Sequence, residues 1–249
     1  MTVYCLGCEV VRIKDLIRNA VWSAGAFGLV VGVSGGIDSA VVLALCAKSV
    51  GAENVIAVNM PVSTNNPKDT ADAELVCKQY GVKMISSPLG KVLDEFKLVE
   101  NFSDERILTG NTAARLRMAM LYNIAGAKHY LVCGTSNKTE YMIGYSTKWG
   151  DSAADIQPIV HLLKRDVYAL AKELEISEEI IDKVPSAGFF EGQTDEEDIG
   201  VSYDDLDKAL ISLEENDWEA KTEIEKKVLA MVEKSRHKRV PAANLIKAD

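Results

Sequence analysis

The chain reads as an α/β protein built on a doubly wound parallel sheet, with helices on both faces. Two observations lead there. Strand-like segments such as "NVIAVNMP" are continuously apolar rather than alternating, so both faces of each strand must be covered. These segments also take turns along the chain with helical ones, the order that builds parallel crossovers.

The elements follow in order. Residues 9–23 place Val10, Ile13, Ile17 and Val21 on one helical face. "FGLVVGV" (27–33) is a short buried strand, and "DSAVVLALCAKSV" (38–50) a helix stopped by Gly51. The strand 54–61 and the helix 69–80, closed by Gly81, repeat that unit, and "VKMISSPL" (82–89) is a third strand. Residues 104–126 form a long helix or a pair ending at Gly126, and "HYLVCGT" (129–135) is a fourth strand. A helix over 162–174, short helices over 177–213 and a long helix over 218–238 complete the chain. Loops at 62–69, 144–158 and 184–198 are rich in Gly, Pro, Asn, Ser or acids. All are candidate active-site loops, because ligands of such sheets sit beyond the carboxyl ends of the strands. The polarity of 190–198, with Gly192, suggests a mobile lid.

With 249 residues, one domain over 1–249 is the expectation. The net charge of −9 disfavours general nucleic-acid binding. No basic start followed by an apolar core marks a signal peptide. The longest apolar stretch, residues 24–33, contains three glycines and is too short to span a bilayer. Five cysteines, Cys5, Cys8, Cys46, Cys77 and Cys133, suggest free thiols in a reducing, cytoplasmic compartment. Cys5 and Cys8 form a lone CxxC. Without a second pair or neighbouring histidines it reads as incidental thiols rather than a zinc site.

The chemistry concentrates at "GVSGGIDS", Gly32, Val33, Ser34, Gly35, Gly36, Ile37, Asp38 and Ser39, between the first strand and its helix. Adjacent glycines let backbone N–H groups close on an anion, two hydroxyls add donors, and the helix points its positive end there. The spacing is neither GxxxxGK[ST] nor GxGxxG. A plain turn with a capping residue is the competing reading; two serines and an acid around the glycines favour a phosphate cradle.

This motif resembles the pyrophosphate loop of the ATP pyrophosphatase group. "NTAARLRM" (111–118), "GTSNKTE" (134–140), "STKWGDSAADIQPI" (146–159), "LLKRDV" (162–167), "PSAGFFEGQTDEEDIGVSYDDLD" (185–207) and "RHKRVP" (236–241) follow in that order. With the loop, these blocks resemble ammonia-dependent NAD synthetases over about residues 9–241.

The resemblance implies an adenine nucleotide alpha-hydrolase-like, Rossmann-like fold. It implies Mg²⁺, with ATP, deamido-NAD and ammonia as substrates. It also implies a homodimer, with no nucleic acid, no membrane and no glutaminase domain. The carboxylate of deamido-NAD attacks the α-phosphate of ATP, and ammonia then displaces AMP. The protein contributes positioning and charge neutralisation rather than a nucleophile.

By resemblance, Asp38 and Glu140 hold the metal, and Thr135, Lys164 and Ser186 join the loop in binding ATP. Asp38, Glu140 and Lys164 carry the chemistry. Arg115, Lys148, Asp155, His237 and Lys238 bind deamido-NAD. Arg115 and Arg117 point to different helix faces, so one reaches the site, and the family pattern selects Arg115. Lys164 heads a helix, where the macrodipole disfavours a cation, and a solvated first-turn lysine is the competing reading to one that touches the ATP phosphates. A tRNA thiolation enzyme would need a basic RNA surface, and a nucleotide sensor would not need the second acid.

Overall fold

A computed structural model of the chain describes residues 5–186, 188 and 192–243. Among them the sheet has four parallel strands: β1 (Leu29–Gly32), β2 (Val55–Asn59), β3 (Lys83–Ser86) and β4 (Leu131–Cys133). Their spatial order is β3-β2-β1-β4, with Leu29 opposite both Val55 and Leu131. A single bridge from Cys133 to Ile156 extends the edge beyond β4. The order reverses direction at β1, so the crevice between the carboxyl ends of β1 and β4 is the topological switch point.

Alternation along β1 explains the two coats. Leu29 and Val31 pack into a core with Ile13 and Ile17 of α1 (Leu6–Ser23), Leu43 and Leu45 of α2 (Ile37–Val50) and Leu170 of α7 (Lys164–Glu173). Val30 faces the opposite core with Leu93 of α4 (Gly90–Lys97) and Ala113 and Ala125 of α5 (Arg106–Lys128). Each fully buried Leu or Ile contributes roughly 1.5–3 kcal/mol. A third apolar cluster joins α6 (Lys138–Ile143), α10 (Tyr203–Glu215) and α11 (Glu223–Ser235) through Ile143, Leu206, Leu210 and Val228. Between these elements lie α3 (Pro67–Tyr80), α8 (Glu178–Ile181) and α9 (Asp195–Ile199).

Gly51 and Gly81 close α2 and α3 with φ of 89° and 67°, values that favour glycine. Elsewhere the structure departs from expectation. Residues 106–128 are one helix that runs through Gly126. It ends where His129 turns left-handed and the Tyr130 N–H bonds the Ala125 carbonyl. The last long helix begins at Glu223 rather than Trp218. Asp217 and Trp218 both have positive φ, and Thr222 with Glu225 forms a reciprocal cap.

The helices α4 and α6 were not anticipated. Of the segment read as a lid, Phe190 and Glu191 lie outside the described residues; Thr194 caps α9 and Asp195 is buried. Cys5 and Cys8 form a disulfide at the start of α1, which corrects the reading of free thiols there. Cys46, Cys77 and Cys133 are buried and free. Among the described residues no helix is long and apolar enough to cross a membrane.

Candidate active site

The turn after β1 is built as the sequence suggests. Gly35 has φ +81°, and a Cβ there would stand 2.2 Å from the Asp69 carbonyl oxygen, so only glycine fits. The Ser34 and Ser39 hydroxyls lie 3.2 Å apart. The Gly36 N–H donates to Ser34 Oγ, and Ser39 Oγ donates to the Gly36 carbonyl at 2.9 Å. Buried Asn59, at the end of β2, donates to the Val33 carbonyl at 2.9 Å and accepts from Thr70. The turn is therefore braced from the neighbouring strand, and Ser34 remains exposed.

Beside it, three side chains from three helix N-termini converge. Asp38 is the second residue of α2, Glu140 the third of α6 and Lys164 the first of α7. Lys164 is 2% exposed, and its Nζ donates to Asp38 Oδ2 at 2.7 Å and Glu140 Oε1 at 3.0 Å. Asn137, the cap of α6, donates to Asp38 Oδ1 at 2.8 Å. Burial alone would pull Lys164 down. Its ion pairs with Asp38 and Glu140 outweigh that and hold its ammonium well above the ordinary lysine range. Burial, with repulsion from Asp38, pushes the Glu140 carboxyl up to about 7, although Lys164 opposes the rise.

A second layer backs Glu140. The Tyr203 hydroxyl lies 3.0 Å from Glu140 Oε1 and 2.8 Å from Asp195 Oδ2, and its ring faces the Lys164 ammonium at 4.7 Å. Tyr145 donates toward Asp195 and Asp198 at 3.1 and 3.0 Å. Asp207 accepts from the Arg165 N–H at 3.0 Å and from Thr139, whose oxygen accepts the Lys164 N–H at 3.0 Å. The start of α7, and with it Lys164, is thus fixed by a buried network.

These groups open on a cavity of about 980 Å³. Gly32, Val33, Ser34, Gly36, Ile37, Asp38, Ser39, Thr135, Glu140, Lys164, Ser186 and Lys238 line it, as do parts of all three candidate loops. Gly35 is buried behind the turn. Arg117, not Arg115, reaches this cavity. It is held by the Met60 carbonyl at 3.1 Å and Asn65 Oδ1 at 2.9 Å.

Arg115, Lys148, His237 and Asp155 are not among the described residues that line the cavity. The first three form a separate chain: Arg115 donates to the Lys148 carbonyl, and Lys148 Nζ to the His237 carbonyl at 2.6 Å. Asp155 accepts the Val132 N–H at 2.7 Å and the Tyr122 hydroxyl at 3.3 Å, which ties it to the edge of β4. Lys238 Nζ donates to the Gly144 and Ser146 carbonyls. Sequence reasoning missed Asn137, Tyr203, Asp195 and Lys183. The blocks "GTSNKTE" and "GQTDEEDIGVSYDDLD" contain the first three, but nothing local pairs them.

The fold and its glycine turn at the switch point place the chain among α/β nucleotide-binding enzymes. The NAD synthase family model matches residues 9–242. An NH(3)-dependent NAD(+) synthetase of Methanoregula boonei is 46% identical over 241 residues, 97% of each chain. Among solved structures, an NMN synthetase from Francisella tularensis superposes with a TM-score of 0.90 at 32% identity, covering 97% of this chain and 99% of that one. An NH3-dependent NAD synthetase from Campylobacter jejuni, solved with nitrate, gives 0.83 at 32% identity, covering 98% and 100%. The chain belongs to the NAD synthase family, and its fold is the adenine nucleotide alpha-hydrolase-like arrangement.

Proposed function

We propose that this chain amidates deamido-NAD with ammonia at the expense of ATP, giving NAD, AMP and pyrophosphate. The observation that carries the reading is the meeting of the Ser34–Ser39 turn with the Asp38–Lys164–Glu140 cluster in one cavity. A carboxylate resists ammonia because its leaving group would be oxide. In this reading a nicotinate oxygen bonds the α-phosphorus while the bond to the β-phosphate bridging oxygen breaks, and pyrophosphate departs. Ammonia then adds at the acyl carbon, AMP leaves with the carboxyl oxygen, and a proton is lost.

The chain's own groups suit the charges of that sequence. The Gly36 amide and the Ser34 and Ser39 hydroxyls receive pyrophosphate, with Gly32, Val33, Gly35 and Ile37 shaping the turn. Lys164 faces the phosphates and the acids together; Thr135 and Ser186 contact the nucleotide.

Mg²⁺ fits Asp38 and Glu140. Both are hard carboxylates at the cavity wall, and Glu140 Oε2 accepts no hydrogen bond from the described residues. Among those residues no cluster of three or more His, Cys, Asp or Glu forms a cage. An ion sharing its coordination with phosphate oxygens needs only such a pair. When bound, it would neutralise charge on the transferring phosphate.

Lys238 is the cavity group assigned to deamido-NAD; Arg115, Lys148, Asp155 and His237 would hold its far end outside. Leu98, Val99 and Ile107, 79%, 60% and 68% exposed, leave large apolar side chains in solvent around the α4–α5 connection, which supports the homodimer we assign. Buried free Cys46, Cys77 and Cys133 suit a cytoplasmic setting, with 1–249 as one synthetase domain and ammonia supplied from outside it. The test is AMP release that requires both deamido-NAD and an ammonium salt; release without either substrate refutes the assignment.

A second reading has specific support. The TM-score of 0.90 is to a protein named NMN synthetase, so nicotinate mononucleotide is the alternative acceptor. Comparing kcat/KM for the two acceptors decides. With the mononucleotide, Arg115→Met and Lys148→Met should be silent; with the dinucleotide they should raise its KM.

A further inference from the structure

Lys183 lies between α8 and the loop that carries Ser186, outside every role assigned above. Its ammonium donates to Asp72 Oδ2 at 2.6 Å and to the Gly35 carbonyl at 3.1 Å, and it pairs with Asp69 Oδ1 at 2.7 Å. An ammonium has three N–H donors, so these three acceptors use them all. Lys183 lines the cavity, yet it has no donor left for a phosphate. Asp72 is 3% exposed, which makes the anchor rigid.

The Gly35 carbonyl is a telling partner. The peptide linking Gly35 to Gly36 is planar and trans, so its C=O and N–H point in opposite directions. The Gly36 N–H points toward Ser34 Oγ at 3.2 Å, on the cavity side. A peptide between two glycines meets little steric resistance to turning over, since neither carries a Cβ. Turned over, it would present a carbonyl oxygen to an anion in place of an amide hydrogen.

We propose that Lys183 is a positioning residue: by holding the Gly35 carbonyl outward, it locks the Gly35–Gly36 peptide with its N–H facing the phosphate site. The inference rests on the ATP-site reading above and adds what keeps that site anion-receptive. It also couples the Ser186 loop to the turn, since one side chain ties the root of that loop to α3 and to Gly35.

Lys183→Met removes the three donors and keeps the length of the chain. Calorimetry should find ATP and inorganic pyrophosphate bound at least about tenfold more weakly, the loss expected for one charged hydrogen bond. AMP and deamido-NAD, which do not fill the pyrophosphate position, should keep their affinities.

Lys183→Met also strands buried Asp72, which by itself destabilises the fold. The double variant Lys183→Met/Asp72→Asn removes that burden. It should recover thermal stability while the deficit toward ATP and pyrophosphate persists. Wild-type affinity for ATP in the double variant overturns the proposal, as does an equal loss of AMP and ATP binding in both variants. If the unaltered protein binds neither ATP nor pyrophosphate, the ATP-site reading itself fails, and the lock falls with it.

Discussion

Glu140→Gln isolates one buried charge and tests whether the acid pair is poised as the geometry indicates. Burial and the nearby Asp38 raise the Glu140 carboxyl from its ordinary 4.5 to about 7. A proton held more tightly by the folded state than by the unfolded chain stabilises the fold. That stability is complete below about 4.5 and is lost as pH rises through about 7. Each pH unit of separation corresponds to about 1.4 kcal/mol, so Glu140 accounts for roughly 3 kcal/mol over that window. Glutamine keeps an acceptor for the Tyr203 hydroxyl and for Lys164 Nζ, both at 3.0 Å from Glu140 Oε1, but cannot ionise.

The assay is guanidinium unfolding of both proteins at pH 5, 6, 7 and 8, with chelator present so that no divalent ion selects the ionised form. Burial also raises Asp151, Asp195 and Asp207, but both proteins share these groups, so the difference between the two curves reports Glu140. The wild type should lose about 2–3 kcal/mol relative to the variant between pH 5 and 8. Parallel curves, or a wild type that gains on the variant as pH rises, would show that the carboxyl is not held protonated and refute the reasoning.

Asp38→Asn should abolish AMP release while leaving the circular dichroism spectrum unchanged, because Asn137 and Lys164 still bracket position 38; full activity would refute the proposal that Asp38 holds Mg²⁺. Gly35→Ala forces a side chain into positive φ and to within 2.2 Å of the Asp69 carbonyl oxygen. It should cost more than about 2 kcal/mol in denaturant unfolding and eliminate pyrophosphate binding. Asp155→Ala frees the Val132 N–H and the Tyr122 hydroxyl. It should lower Tm by several degrees and raise the deamido-NAD KM; a lowered Tm with an unchanged KM would make Asp155 a brace alone and remove it from the deamido-NAD site.

What the sequence discloses is what depends on neighbours along the chain. The strand–helix alternation, the stops at Gly51 and Gly81, and the glycine turn at 34–36 are local, and the structure repeats them. Boundaries fail where a local signal competes with another. Gly126 reads as a stop, yet the helix continues to Lys128 because Ala125 is packed against the sheet and the His129–Tyr130 turn caps the carbonyls. The helix α6 was hidden because six residues inside a polar motif show no period; its cap, Asn137, is visible only with Glu140's N–H beside it.

Arg115 and Arg117 differ by two positions and so by opposite sides of α5. Which side faces the cavity follows from how α5 lies against β1 and β4, and that is a long-range fact. Tyr203 reaches Glu140 across 63 positions and links it to Asp195, a separation over which composition and periodicity carry no information.

Lys164 joins these levels. A cation at the first position of a helix is opposed by the macrodipole, a cost of about 0.3–1 kcal/mol at exposed sites. Burial to 2% exposure adds a desolvation cost. Neither would be tolerated without Asp38 and Glu140, which themselves sit at the positive ends of α2 and α6, where acids are favoured. The three termini therefore compensate one another. The dipoles of α2 and α6 support the acids, the acids hold the lysine, and the lysine lets two carboxylates stand side by side. Such a cluster is costly to assemble and adds little net stability, because replacing buried ion pairs with apolar packing is commonly neutral or better. Its value lies in holding charge fixed at the cavity wall before a polyanionic nucleotide arrives, so that little reorganisation is required when the reaction moves charge.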